Sequence, residues 1–290
     1  MARVSFAAVK RVGIALGWIV LFATIAIAVT IGISEVVPGW GGGEWFVART
    51  GLFEVIGFGL ATVVVGRWLN KYSWPDIGWR KPAFPKVFVG AGLGALMAAV
   101  AIGLAVVLDG ARVHFTGDWS LWPRVALPLI LGLIFAALGE ELGFRGYPLR
   151  RLANAIGVLP AMLVLALLFG LAHARNPSAT VFSTVNVALA AIWLSFAFFS
   201  SGGMPLAWGA HFGWNAGLAI LFDAPVSGYA FQVPVVEYTP GSRAWVDGGA
   251  FGPEGGIVAT VALSVGIIYL LTRTSGFAEP QPATPQAAAA

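Results

Sequence analysis

Eight predominantly apolar stretches, each near the length needed to cross a bilayer, constrain this chain more than any other feature. They lie at about 13–33, 46–67, 87–108, 122–146, 156–174, 178–199, 203–222 and 255–272 of 290 residues. About 20 apolar residues in a helix span a bilayer's hydrocarbon core. Composition agrees: 58% of residues are hydrophobic and 10% charged, where a soluble domain carries roughly a quarter charged residues. The expected fold class is therefore all-α, a polytopic transmembrane helix bundle of about eight spans. It reads as one domain over 1–272, followed by a disordered, low-complexity tail over 273–290.

An even number of spans places both termini on one side. With the N-terminus inside, 12 of the 17 Lys and Arg residues fall on inner segments and 5 on outer ones, which favours cytoplasmic termini. The first block is long enough to span, so it reads as a span and not a leader. The net charge of +4 comes from short basic loops and reports orientation, so no nucleic-acid partner is expected. The stretch 71–86, basic, Trp-rich and Pro-broken, suits the headgroup region. The one long connection, 223–254, is rich in turn signals and is expected to fold over the bundle from outside. An alanine- and glycine-rich chain of this kind points to a bacterial plasma (inner) membrane, with the bilayer as its first partner.

Charged residues inside spans are costly and mark paired or functional sites. The fourth span ends in GEELGFRG, residues 139–146. Glu141 and Arg145 are four apart on one helix face and pair, while Glu140, about 100° round the helix, is left without that partner. His173 follows Phe169 in FGLAH, and His211 precedes Asn215 in HFGWN, again at four-residue spacing. Of three histidines, only His114 lies outside the spans, in a polar loop. Glu54 interrupts the second span, and Asp109, Asp118 and Asp223 sit at span ends. A rise of ~1.5 Å per residue puts Glu140 and His211 at ~18 and ~12 Å from the cytoplasmic helix ends but His173 at ~25 Å. The three share a depth only if a helix tilts, kinks or starts later than 156.

A glutamate and a histidine around one water are the parts of a hydrolase, with the carboxylate as general base. A second histidine and an amide can donate to the oxyanion of a tetrahedral intermediate. The same Glu140, His173 and His211 can instead ligate Zn²⁺ and leave a fourth position for water. No cysteine is present, which excludes disulfides and cysteine nucleophiles.

These three motifs, in this order in consecutive polar-bearing spans, resemble the E-E-x-x-x-R, F-x-x-x-H and H-x-x-x-N signatures of the CPBP (CAAX protease and bacteriocin-processing, or Abi) intramembrane proteases. The resemblance covers a core of about 122–222. It implies an endopeptidase in which Glu140 and His173 activate water and His211 and Asn215 stabilise the oxyanion. Glu141 and Arg145 then support the site or touch substrate, and Phe169 packs beside it. The implied substrate is a hydrophobic or prenylated peptide. The family is described both as metalloproteases and as glutamate-dependent enzymes without metal. Two rivals remain at this level. Intramembrane Glu, His and Arg also mark transporters and proton-coupled carriers, and a family member can act as an immunity or scaffold protein.

Overall fold

A computed structural model describes residues 6–38, 43–117 and 119–273. Its main elements are α1 (Phe6–Val36), α2 (Phe46–Ala61), α3 (Phe84–Asp109), α4 (Trp122–Phe144), α5 (Tyr147–Ile156), α6 (Val158–Ala172), α7 (Val181–Phe199), α8 (Gly203–Ala216), α9 (Ala244–Asp247) and α10 (Ile257–Arg273). Both α2 and α8 continue into π-helical turns, Thr62–Leu69 and Gly217–Leu221. Apart from Arg273, the tail expected to be disordered lies outside the described residues, as does Asp118.

The bundle is helical and apolar, as expected. Five stretches are long and apolar enough to cross a membrane: Phe6–Val36, Gly43–Leu69, Phe84–Asp109, Trp122–Ile156 and Val181–Phe199. Val158–Ala172 and Ile257–Thr272 are apolar but shorter. The all-α expectation needs one amendment. β1 (Arg112–Phe115) and β2 (Val236–Thr239) form an antiparallel ribbon, with His114 opposite Glu237. His114 is exposed on this ribbon, outside the bundle.

The long fourth stretch is broken, and the sequence says why. Pro148 has no N–H to give to the carbonyl of Phe144, so an α-helix cannot run through it unstrained. Gly146 leaves helical geometry (φ −62°, ψ −116°) and α5 starts afresh with Pro148 in its first turn. The chain then reverses at Gly157, whose φ of +92° suits a residue without Cβ. Arg145 and Phe169 each stand 12 residues from Gly157. They touch, with the guanidinium carbon 4.4 Å from the ring centroid. The depth mismatch of His173 is thereby resolved. The kinked α4–α5 pair runs to Ile156, and α6 ends at Ala172, so His173 caps a helix at the level of the two glutamates.

Small residues set how closely the helices approach. A Cβ on Gly90 or Gly94 of α3 would collide with the backbone of Leu206 or Ala210 on α8. One on Gly209 or Gly213 would strike the carbonyl of Val87 or Ala91 in return. Such Gly-x-x-x-Gly seams are how helices pack where lipid removes the hydrophobic drive for association. α2 meets α4 through Gly51, Gly132 and Gly139 in the same manner. The segment 223–254 closes over the helix ends as a tied-down cap. Arg243 bonds Asp109 at the end of α3 through both its backbone N–H and its side-chain Nε (2.8 and 2.6 Å), and the amide of Asn186 on α7 donates to the carbonyls of Glu254 and Gly256 (2.9 and 2.8 Å).

Candidate active site

Glu140 and Glu141 come from α4, with Arg145 capping its end, and His211 comes from α8, whose facing turn puts it in contact with both glutamates. Glu141 is fully buried and Arg145 is 2% exposed, and their side chains meet at 3.0 Å. The pairing expected from the i,i+4 spacing is present. Its function is wider than expected, because the same Oε1 of Glu141 also meets Nδ1 of His211 at 2.9 Å. This orients the His211 ring so that Nε2 faces Oε2 of Glu140 at 3.6 Å. Glu140 is the freer carboxylate, with 29% of its side chain exposed. Its buried Oε2 has no hydrogen-bond partner.

His173 is held differently. Its Nδ1 lies 2.8 Å from the carbonyl oxygen of Phe169. A carbonyl only accepts, so Nδ1 carries the hydrogen and Nε2 of the neutral ring is left as an acceptor. Phe169 packs against His173 (centroids 4.6 Å), His211 (6.1 Å) and Phe144 (5.0 Å), and carries Arg145 over its face. The phenylalanine of the second motif thus fixes both histidines and the arginine.

Glu140, His173, His211 and Asn215 line one cavity of about 160 Å³. The four residues expected to carry the chemistry therefore share a single space. Glu54 on α2 packs against Gly139 beside Glu140 and does not line this space. Among the described residues no group of three or more His, Asp or Glu side chains is gathered closely enough to hold a metal ion. Glu140, His173 and His211 share the cavity without forming such a group.

Residues 121–217 match the family model of the type II CAAX prenyl endopeptidases, Rce1-like. The motif core is Rce1-like. That match contains all three motifs and supports a CAAX-type intramembrane protease in general, integral to a membrane and multi-pass. No curated protein matches the chain.

Sequence reasoning missed the opposite wall of the cavity. Val226, Ser227, Tyr229, Phe231 and Glu254 line it from the cap, and Asn176 lines it from the connection after His173. The available signal was weak: a lone carboxylate in GPEGG and a Ser-Gly pair within a turn-rich connection.

Proposed function

We propose that this protein is an intramembrane endopeptidase of the CAAX prenyl protease type, cleaving a peptide bond with a water activated by Glu140 and His173. The observation that carries this reading is the convergence of a free carboxylate and an acceptor imidazole nitrogen on one enclosed cavity, inside the Rce1-like segment. Water entering between Glu140 and Nε2 of His173 gives up a proton to this pair as it attacks the carbonyl carbon. His211, as the imidazolium that gives Nδ1–H to Glu141 and keeps Nε2–H for the substrate, and the Asn215 amide then donate to the oxyanion. The same pair returns the proton to the leaving amine. Arg145 neutralises Glu141, which lets that carboxylate stay buried while it orients His211.

In this reading the substrate is a hydrophobic or prenylated peptide that reaches the site within the bilayer. The chain crosses a bacterial inner membrane eight times with both termini in the cytoplasm, and the chemistry runs without a tightly held metal.

Purified protein in detergent is expected to cleave a prenylated or apolar peptide. Glu140→Gln and His173→Ala should each lower kcat/KM by at least ~10², and a metal chelator should leave the rate within ~2-fold of the untreated enzyme. Wild-type turnover in both variants would end this reading.

A further inference from the structure

The cap does more than cover the helix ends. At its centre Ser227 holds φ of +49°, a left-handed conformation uncommon for serine, and Gly228 follows at +90°. Strain of this kind persists only where the surroundings over-determine it, and it tends to gather at ligand-facing positions. Here the surroundings are explicit. Glu254, 8% exposed, accepts through Oε2 from both the backbone N–H and the hydroxyl of Ser227. Its Oε1 accepts from the indole N–H of Trp214 on α8 at 2.8 Å. Asn176, three residues past His173, donates to the carbonyl of Ser227 at 3.0 Å. A Cβ on Gly228 would collide with the carbonyl of Pro177. One carboxylate thus ties the strained turn to the helix bearing His211, and Asn176 ties it to the connection bearing His173.

Beside the polar residues of the clasp, the cap also presents large apolar side chains to the cavity. Val226, Tyr229 and Phe231 face the site from the cap, with Val187 and Leu194 of α7 beside them. A cavity of about 160 Å³ is comparable with the engineered apolar cavity of ~150 Å³ that admits benzene. That is room for one side chain of about phenylalanine size.

We propose that cap residues 226–231 form the specificity wall of this site, accepting one apolar substrate side chain of at most phenylalanine size, and that Glu254 is a positioning residue holding that wall through Ser227 and Trp214. The inference rests on the peptidase reading above.

The test is a set of apolar peptides varied from Ala to Trp at each position around the cleaved bond, with products read by mass spectrometry. Wild type should discriminate against Trp at one position. Phe231→Ala should raise kcat/KM for the Trp peptide relative to the Leu peptide at least ~10-fold, the lower end of what a change in pocket size is worth. Glu254→Gln places an amide N–H where a donor now points, and should blunt the same discrimination while raising KM more than it lowers kcat. Arg243→Ala loosens the cap far from the cavity and should leave the ranking unchanged. Should Glu254→Gln fail to fold, the half-buried Phe231 still decides. An unchanged ranking in Phe231→Ala, or a shift equally large in Arg243→Ala, overturns the inference and leaves the peptidase reading standing. Absence of any Glu140-dependent cleavage by wild type overturns that reading, and the cap assignment with it.

Discussion

Glu141 and Glu254 are both almost completely buried carboxylates, on opposite sides of one cavity, yet they are stabilised by opposite means. Glu141 lies between a guanidinium and an imidazole, deep among helices. Glu254 has no cation and relies on neutral donors: an indole N–H, a serine hydroxyl and a backbone N–H. A site built from a charge pair fails by leaving a charge uncompensated. One built from neutral hydrogen bonds loses each contact separately. The Glu141 cluster should therefore break sharply under substitution and the cap gradually.

The largest expected effect is on the charged side. Arg145→Ala leaves Glu141 buried without its cation and should cost ~3–5 kcal/mol of stability. Thermal unfolding in detergent would read it. The double variant Arg145→Met with Glu141→Gln removes both charges and should recover part of that loss. If the single and double variants are equally unstable, the charge-pair account is wrong. On the neutral side, Ser227→Ala removes one hydroxyl donor and keeps the backbone N–H. It should cost only ~1 kcal/mol, and a loss as large as that of Arg145→Ala would erase the contrast.

The smallest effect concerns pH. Burial, helped by Glu237, pushes the Asp223 carboxyl in the cap up to about 6, although the Val233 N–H bonded to it pulls the other way. A carboxyl raised above its unfolded value stabilises the fold fully below that unfolded value, and the contribution is lost as pH rises through about 6. Hydrogen exchange at Val233, corrected for intrinsic rate, should thus be up to ~10-fold more protected at pH 5 than at pH 7. Asp223→Asn should abolish the difference.

Much of the catalytic half was legible before any coordinates. The apolar blocks foretold the helices, and four-residue spacings placed Glu141 on Arg145 and His173 beside Phe169. What sequence spacing could not show were contacts between helices. That Glu141 also orients His211, 70 residues away, follows from the depth at which α8 docks, and no local pattern encodes that. The spacing showed that His173 needs a tilt, a kink or a later helix start to reach the glutamates, and the break at Gly146 with the turn at Gly157 decides among them. Glu254 escaped notice because turn-forming residues around a lone acid look the same whether they face water or a cavity.

The glycine seam between α3 and α8 has a consequence beyond packing. α3 contributes no residue to the cavity, yet it sets the height and roll of the helix that carries His211 and Asn215. It serves as a jig for the machined part, untouched by the chemistry and intolerant of a single extra methyl. Variation in such a chain is free to rewrite the lipid-facing side of α3, but at Gly90 and Gly94 a gain of one carbon would push α8 away and displace His211 and Asn215, side chains that the new atom never reaches. An inactive natural variant altered only there would be read as a damaged membrane anchor, when what it had lost was alignment.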